Sequence, residues 1–518
     1  MPVNAFLARL GFSADPFEST NASEEPGLPN YFVPPPYFTS ILGNIDTPKS
    51  HVILAPRGGG KTAQRLMIEN DSVTSGKYLC VTYDEFDVLT STQVTWAAHM
   101  KQICRLLLVG ILVRIDREPT TVHQLSDSEK RLLKQQVSSL LGNISAEEFA
   151  RSIRALKNFA DHARDYWQRY GGLVASLLNA FIAKYGFDKI DVPAQMGGPA
   201  RLDDSLRFQF GQLLRIIQKV GFQSTYILVD RVDELSSTSK DAKSTFTFIY
   251  PLLTDLPTLE TEGVAFKFFL WDQIEDSYSQ RGSRPDRIKI FHLRWSIDEL
   301  KTMLSMRLKA HSEGKVSSLN ELISPDVGVD LDKLVVHFAA GSPRDMIRVC
   351  HRIIDEETRA STASTQIRSQ SVWTGLRNFA QERSEELFGT HLPQLRRPGS
   401  VCFTINQLAN DVFRISTQAA RNKVQNWMNS AAVTKIGELP NKGNRPLHLF
   451  GAIDLRLAVA MLPAQEIQMI LANFAIECPS CGTTCITDQT RITCHSCDME
   501  FQLGDAQSLM QSCSMQEA

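Results

Sequence analysis

A glycine-rich segment brings together residue types that bind phosphate groups. Residues 51–62 read HVILAPRGGGKT, an apolar run followed by three glycines, a lysine and a threonine. This order predicts a strand, a loop whose backbone N–H groups surround a phosphate chain, and a helix. Lys61 would contact the outer phosphates of a nucleotide such as ATP, and the Thr62 hydroxyl would ligate Mg²⁺. The predicted nucleotide-binding residues are Ala55, Pro56, Arg57, Gly58, Gly59, Gly60, Lys61 and Thr62.

Ala55 is the one departure from the common pattern of this loop, G-x-x-x-x-G-K-[ST], which begins with glycine. Alanine is the mildest replacement for glycine. The three glycines that follow leave the loop free to adopt positive φ where a phosphate approaches. We therefore interpret the segment as a P-loop despite Ala55.

A second chemical signal is an acidic cluster that follows an apolar run at residues 225–235, TYILVDRVDEL. The run predicts a buried strand with Asp230 at its carboxyl end, where open parallel sheets bind ligands. A carboxylate in this place would orient the Mg²⁺ shell. Either Asp233 or Glu234 would polarise the attacking water, with Glu234 favoured. The other carboxylate would stabilise the start of the next helix.

Length and composition limit the class of protein. The chain has 518 residues, of which 43% are hydrophobic and 22% are charged, and its net charge is −2. Such a length predicts about three or four domains, and the composition does not indicate global disorder or whole-chain nucleic-acid binding. No apolar stretch approaches the roughly 18 residues of a membrane span, and the N-terminus lacks a secretory pattern. We therefore expect a cytoplasmic protein with no membrane partner.

Five apolar segments alternate with helical segments, a pattern typical of an α/β fold with a parallel sheet. The predicted strands are 51–55, 78–83, 226–230, 264–271 and 288–293. The P-loop core is assigned to residues 51–295. It includes a helical insertion at about 92–200, because this stretch exceeds the length of one crossover. Residues 1–50 are expected to pack on the nucleotide-binding core.

Residues 296–385 predict a helical lid. Ser296 and Glu299 form a capping box that begins an amphipathic helix. Further along, Gly341-Ser342-Pro343 ends one helix and places Arg344 in the first turn of the next.

Together these motifs resemble those of AAA+ ATPases, in particular the clade of origin-initiator and STAND signalling ATPases, over residues 30–355. The resemblance implies an oligomeric, Mg²⁺-dependent ATPase in which Arg344 contacts the γ-phosphate from the lid. A second sensor is implied at Trp271 or Asp272, and Asp272 is the better chemical candidate. Candidates for an arginine finger that acts on a neighbouring subunit are Arg281, Arg284 and Arg287, with Arg284 or Arg287 favoured.

The acidic segment at residues 225–235 also helps to distinguish between the two groups of ATPases. Its Asp-x-x-Asp-Glu pattern is similar to that of STAND proteins, whereas a plain AAA+ strand ends directly in Asp-Glu. STAND proteins commonly have a small residue after the first Asp, and Arg231 departs from this preference. The clade therefore stays open between the two.

Residues 398–460 resemble a winged helix-turn-helix. A helix over Thr417–Ser430 would direct a polar face outward, and a hairpin between Val433 and Phe450 would form the wing. Residues 401–460 hold seven Lys plus Arg against three Asp plus Glu, a local charge of +4. The module would contact duplex DNA or pack against protein. The predicted DNA contacts are Gln418, Arg421, Asn422, Gln425, Lys442 and Arg445.

The clearest metal signal is two C-x-x-C pairs, Cys478/Cys481 and Cys494/Cys497. Two close thiolate pairs predict a structural Zn²⁺ site in a small zinc ribbon, assigned to residues 474–503. Cys485, Cys513 and His495 lack partner spacing and are left out of the site. Residues 461–518 hold one Arg against seven Asp plus Glu, which favours a structural or protein-docking role over phosphate binding.

Three functional hypotheses follow from these patterns. The first is an ATP-dependent switch that assembles with neighbouring subunits and engages duplex DNA through the winged helix. The second is a signalling or antiviral-defence scaffold that recruits a protein effector without DNA specificity. The third is a module that binds nucleotide without turnover.

Overall fold

Five parallel strands form the central sheet of one unit of the molecule, Pro34–Leu293. This computed structural model describes residues 2–25, 27–86, 89, 94–141, 146–156, 184, 202–361, 363–440 and 446–510. The strands are β1 His51–Ala55, β2 Tyr78–Tyr83, β3 Ser224–Val229, β4 Val264–Trp271 and β5 Lys289–His292. They lie in the order β2-β3-β4-β1-β5. All five predicted strands are confirmed to within two residues at each end.

Both faces of this sheet are covered, which explains its continuous apolar runs. Every residue of β1, β2 and β3 is buried, as expected of a parallel sheet between helical layers. Ala55 pairs in register with Trp271, so the carboxyl ends of β1 and β4 lie side by side. Val229 pairs with Phe268 of β4 on the other side. The loops that follow β1, β3 and β4 therefore meet at one edge of the sheet.

Helices make up most of the remaining described structure. In chain order they are α1 Pro2–Arg9, α2 Leu28–Tyr31, α3 Phe38–Leu42, α4 Lys61–Ser75, α5 Trp96–Arg117, α6 Asp127–Gln136, α7 Ala146–Arg154, α8 Leu202–Lys219, α9 Ala242–Leu253, α10 Leu256–Leu259, α11 Glu275–Gln280, α12 Ile297–His311, α13 Leu331–Ala339, α14 Pro343–Ala360, α15 Ser369–Phe388, α16 Leu392–Leu395, α17 Ile405–Gln407, α18 Thr417–Asn429, α19 Leu455–Met461 and α20 Ile467–Phe474. In the predicted helical insertion, α5, α6 and α7 are described, whereas residues 157–201 apart from Lys184 lie outside the described residues.

Helix α5 corrects one expectation about membranes. Its 22 residues have a mean hydropathy of 1.3 and, by length and composition alone, are apolar enough to cross a membrane. However, 67% of the apolar window is buried, and Met100, Ile103 and Leu107 belong to the core that contains the sheet. The apolar composition of α5 is thus explained by its position in the core.

Residues 1–33 and 294–518 form the other unit. Within it, Arg307 of α12 pairs with Glu25 at 2.8 Å, which ties the N-terminal residues to α12. Residues 34–50 belong to the sheet unit, where the Tyr37 hydroxyl donates to the His292 carbonyl at 2.8 Å. Residues 1–33 thus belong to one unit and residues 34–50 to the other.

The turn before α14 has the geometry expected from its sequence. Gly341 has a φ of 76°, in the left-handed region. Helix α14 then begins at Pro343 with Ser342 as its N-cap. Arg344 accordingly lies in the first turn, and the capping box of Ser296 and Glu299 is present at the start of α12.

Short antiparallel strands build the C-terminal part of this unit. One sheet has the order β6-β8-β7, where β6 is Cys402–Thr404, β7 is Val433–Leu439 and β8 is Leu447–Ala452. Helix α18 lies between β6 and β7 in the chain. The last strands are β9 Ala475–Glu477, β10 Thr484–Ile486, β11 Arg491–Thr493, β12 Glu500–Gln502 and β13 Gln507–Ser508, paired as β10-β9-β13 and β11-β12.

Candidate functional site

The glycine-rich loop joins β1 to α4, and its path requires its glycines. Gly58 and Gly60 have φ values of 82° and 91°, a region that favours glycine. At Gly59 a Cβ atom would lie 3.0 Å from the Pro56 carbonyl oxygen and 3.2 Å from the Cβ of Ala55. Ala55 itself is buried at the end of β1. The segment is thus a tightly specified loop rather than a solvated turn, and alanine fits at its first position.

Lys61 and Thr62 occupy the first turn of α4, a helix of 15 residues. The Lys61 ammonium donates to the carbonyl oxygens of Ala55 at 3.1 Å and Pro56 at 3.2 Å, so it lies against the loop. The N-terminus of a helix carries partial positive charge and orients free N–H groups. An ammonium beside such a terminus is the combination that binds a phosphate chain.

The predicted Mg²⁺ residues contact one another. The Thr62 hydroxyl donates to Asp230 Oδ2 at 3.1 Å, and the backbone N–H of Arg231 donates to Asp230 Oδ1 at 2.9 Å. Asp230 is only 1% exposed, directly after β3. A hydroxyl and a carboxylate are hard oxygen ligands suited to Mg²⁺. The residues present therefore fit the ion that the motifs imply.

A buried ion network holds Asp230 from the side of α4. The Arg65 Nε donates to Asp230 Oδ2 at 2.9 Å, and its guanidinium also pairs with Glu69. Thr82 of β2 donates to Glu69 at 2.5 Å, and Asp84 lies 3.9 Å from Arg65. Burial alone would lower the pKa of Arg65, but the three carboxylates together raise it. The guanidinium therefore stays charged and fixes one oxygen of Asp230.

Sequence analysis missed Arg65 and Glu69. The pair has the i,i+4 spacing of an ordinary surface ion pair. The available signal was helical phase, because positions 65, 68, 69 and 72 share one face of α4, and Ile68 marks that face as the side toward the sheet. A charged pair on an inward face needs buried partners.

The two carboxylates after Asp230 have different environments. Arg57 donates from Nε to Asp233 Oδ2 at 3.1 Å and from Nη2 to the Asp233 carbonyl at 2.9 Å. The same guanidinium lies 4.3 Å from the ring centroid of Trp271. The Glu234 side chain is 62% exposed and lies 3.7 Å from Arg231. Asp233 thus anchors the loop, whereas Glu234 is accessible to solvent.

Arg231 has a φ of 61°, which is rare for a residue with a side chain. This conformation turns the chain sharply between Asp230 and the helical turn Val232–Glu234. Glycine adopts it without strain, because it has no Cβ atom. Arg231 therefore holds a strained backbone conformation directly after Asp230.

Of the two residues at the end of β4, Asp272 interacts electrostatically with the loop lysine. Burial raises the pKa of Asp272, and the positive charge of Lys61 acts in the opposite direction. Trp271 instead packs against Arg57. The role of Asp272 as a polar sensor stays a prediction.

The candidate arginines differ in their partners. Arg284 forms two hydrogen bonds with Asp286, at 3.0 and 2.9 Å, and Arg287 pairs with Glu260. Such exposed pairs are weak and exchange readily. Arg281 and Arg344 are exposed, and neither side chain has a hydrogen bond or ion pair with another described residue. Arg344 belongs to the unit that contains residues 294–518.

Four cysteines meet in the C-terminal segment as predicted. The Sγ atoms of Cys478, Cys481, Cys494 and Cys497 all lie within 4.8 Å of one another. Two of the Sγ–Sγ distances are 3.7 Å and 3.6 Å. A tetrahedral Zn²⁺ with Zn–S bonds of about 2.3 Å needs Sγ–Sγ distances of about 3.8 Å. The cluster therefore fits a closed structural zinc site.

The turns that carry these cysteines are alike. Gly482 N donates to the Cys478 carbonyl, and Asp498 N donates to the Cys494 carbonyl, each at 2.9 Å. Gly482 and Asp498 both have positive φ, 72° and 57°. Cys485 and His495 are not members of the metal-ligand group, and Cys513 lies outside the described residues.

The predicted DNA-reading residues of α18 share an exposed face. Its inner side is anchored by Trp427, which is 1% exposed. Gln418 donates to Asn422 at 3.2 Å on the outer side. The exposed residues are Gln418, Arg421, Asn422 and Gln425, whereas Lys442 and Arg445 lie outside the described residues.

Comparisons with known proteins give a limited result. No family model matches the sequence, and no curated protein matches it. The chain is similar to the Aeropyrum pernix ORC1 protein in complex with DNA, with a TM-score of 0.35 and 13% identity over 88% of this chain and 98% of that chain. It is also similar to the Aeropyrum pernix ORC2 protein, with a TM-score of 0.34 and 10% identity over 86% and 92% of the two chains. Scores this low do not establish a shared fold.

Proposed function

We propose that the chain is an ATP-binding and ATP-hydrolysing molecular switch of the AAA+/STAND type that works in the cytoplasm. The observation that carries this proposal is the 3.1 Å contact between the Thr62 hydroxyl and Asp230, beside a loop that positions Lys61. These residues come from the start of α4 and the end of β3. Their meeting at one edge of a parallel sheet supports a Mg²⁺–nucleotide site.

The residues have distinct roles in this proposal. The loop N–H groups and the Lys61 ammonium bind the phosphate chain, and Thr62 and Asp230 hold Mg²⁺, which neutralises charge on the phosphates. Glu234 polarises the attacking water, because its side chain is accessible while Asp233 is held by Arg57. Asp272 contributes a polar group at the end of β4.

Two arginines supply the remaining positive charge. Arg344 contacts the γ-phosphate from the lid. One of Arg281, Arg284 and Arg287 acts on the nucleotide of a neighbouring subunit, which makes hydrolysis depend on oligomer formation. The exposure of the Arg344 and Arg281 side chains supports such roles.

We further propose that β6, α18, β7 and β8 form a winged helix that engages duplex DNA. The exposed face of α18 carries no acidic residue, and its Gln, Asn and Arg side chains are those that read base edges. The four-cysteine segment is a zinc ribbon with a structural role. Its acidic composition does not suit phosphate contact.

The steady-state rate of ATP hydrolysis tests the proposal. It should rise more than linearly with protein concentration, increase on addition of duplex DNA at low salt, and lose the DNA effect as salt rises. Lys61→Ala is the negative control, and we expect it to hydrolyse ATP about 100-fold or more slowly than the parent. Glu234→Gln should reduce turnover while nucleotide binding persists, and Asp233→Asn should chiefly weaken loop stability.

The alternative is a signalling or defence scaffold that recruits a protein effector. The Asp-x-x-Asp-Glu pattern of Asp230, Asp233 and Glu234 favours it, because this pattern is similar to that of STAND proteins. Turnover that is indifferent to DNA would support this alternative. A parent rate equal to that of Lys61→Ala would instead indicate a nucleotide-binding module without turnover.

A further inference from the structure

Two cationic side chains contact one aromatic ring just before α18. The Arg397 guanidinium lies 4.7 Å from the ring centroid of Phe413, and the Lys423 ammonium lies 5.1 Å from it. Arg414 follows Phe413 in the chain and is exposed, with a φ of 53°. The name "Phe413 cluster" is used for Arg397 and Lys423, which contact this ring, together with Arg414, the next residue in the chain.

No member of the Phe413 cluster pairs with a carboxylate among the described residues. Arg397 donates to the Val412 carbonyl at 3.4 Å, and Lys423 donates to Gln394 at 2.8 Å. The Arg414 side chain has no hydrogen bond or ion pair with a described residue. Residues 391–430 contain five Arg or Lys and a single carboxylate, at Asp411. The cluster therefore carries a local positive charge that its surroundings do not neutralise.

Other surface arginines of the same unit behave differently. Arg348 of α14 pairs with Glu386 of α15 at 2.8 Å. Arg352 pairs in the same way with Glu382. Arg348 and Arg352 are thus each neutralised by a carboxylate, and the Phe413 cluster differs from them in this respect.

The location of the cluster indicates what it binds. It lies at the turn that leads into α18, a helix of 13 residues that begins at Thr417. The positive end of the helix dipole adds to the charge of Arg414 there. The exposed Gln418 and Asn422 lie in the first two turns of the same helix. Cations placed beside base-reading side chains suit the phosphates that flank the bases being read.

We propose that Arg397, Arg414 and Lys423 contact phosphate groups of duplex DNA along the flank of α18. This inference rests on the proposed DNA-binding function and adds contacts that the outward face of α18 does not include. The Phe413 ring holds two of the cations in place, so less side-chain freedom is lost when phosphate binds. The contacts position the protein on DNA and do not select its sequence.

The salt dependence of DNA affinity tests the inference. The full chain is titrated against a fluorescent mixed-sequence duplex at several NaCl concentrations, and the logarithm of affinity is plotted against the logarithm of salt concentration. Each lost phosphate contact should make the slope shallower by about 0.9. Arg397→Gln, Arg414→Gln and Lys423→Gln are measured singly, and the triple variant should lose about 2.7 from the slope.

Matched variants separate this effect from general changes of charge or fold. Arg352→Gln removes a neutralised surface arginine and should leave the slope unchanged. Arg397→Lys keeps the charge and should retain the parent slope. Asn422→Ala should reduce discrimination between duplex sequences without changing the slope. The single variants keep the test valid if the triple variant does not fold.

The outcomes distinguish this inference from the function on which it rests. Parent-like slopes in all three single variants, with the parent bound to DNA, would overturn the inference and leave DNA binding intact. A parent that binds no duplex at any salt concentration would overturn both. Binding to polyglutamate, lost in the Gln variants, without binding to duplex would assign the cluster to an acidic protein partner and also overturn it.

Discussion

The glycine-rich loop and the four-cysteine cluster bring chemical groups together in opposite ways. The loop lies on a sheet whose buried apolar cluster extends from Val52 to Ile288. The cysteines lie on short strands whose buried cluster contains Ile476, Cys478, Cys485, Ile492, Cys494 and Phe501. Two of these six residues are themselves predicted zinc ligands. The core that positions the glycine-rich loop does not depend on the residues of the loop. The predicted zinc ligands, in contrast, form a large part of the core around them.

The largest effect should come from loss of a zinc ligand. Cys494→Ser opens the coordination shell, and zinc binding supplies about 10–16 kcal/mol of apparent folding free energy in comparable small domains. We expect residues 474–510 to lose amide protection in hydrogen-exchange mass spectrometry, while nucleotide affinity stays close to that of the parent. Cys485→Ala, which removes a buried cysteine outside the ligand group, should retain zinc and protection. If Cys494→Ser keeps its full zinc content, Cys494 is not a required zinc ligand, and the proposed difference between the two sites is wrong.

Arg65→Gln tests whether the loop site is placed by its surroundings. The substitution leaves Asp230 and Glu69 buried without their cation, and breaking such a buried pair costs about 3–5 kcal/mol. We expect a lower midpoint in denaturant unfolding and a higher Mg²⁺ requirement for nucleotide binding. Arg131→Gln, on the exposed side of α6, should change stability by less than about 0.5 kcal/mol. Equal midpoints for the two variants would show that the network does not hold the site.

The sheet unit also contains a buried amine, which predicts a pH dependence of stability. Burial lowers the pKa of Lys267 to about 7, from about 10.4 in an unfolded chain. Its ammonium hydrogen-bonds the Lys49 carbonyl at 2.8 Å and contacts His51 at 3.1 Å. Between these pH values the unfolded chain binds more protons, so the free energy of unfolding should rise with pH, by about 1.4 kcal/mol per unit.

Lys267→Met should remove this part of the pH slope. Thermal or denaturant unfolding measured from pH 7 to pH 10 gives the readout. Lys289→Met, an exposed lysine of β5, should keep the parent slope. If the free energy of unfolding of the parent does not change over this pH range, the pKa of Lys267 is not lowered in the folded protein.

The smallest expected effect concerns backbone strain beside the loop. Arg231→Gly removes the side chain from a left-handed position, which should raise stability by about 0.5–1 kcal/mol. Arg231→Ala keeps the strain and should give no gain. The comparison is read from the unfolding midpoints of the two variants. If the alanine variant gains as much as the glycine variant, the side chain of Arg231 rather than its φ is responsible.

The five strands were predicted closely because β1 to β4 are buried apolar runs with clear ends. The partly exposed β5 is shorter than predicted by one residue at each end. The start of α12 and the turn before Arg344 were also predictable, since capping boxes and Gly-Ser-Pro breaks act within a few residues. The division of residues 1–50 between two units was not. Its segments have no periodicity of their own, and partners such as Arg307 and His292 lie far away in the chain.

The sequence by itself determined the residues whose chemistry is local. The glycines, Lys61 and Thr62 follow one strand within 12 residues, and each cysteine pair spans one turn, so spacing alone places their backbone groups. Only the tertiary structure decided which charged side chains surround them. Arg57 meets Asp233 across 176 positions and Arg65 meets Asp230 across 165. Such pairs depend on strand order and helix phase, because a guanidinium reaches whatever carboxylate the fold brings beside it.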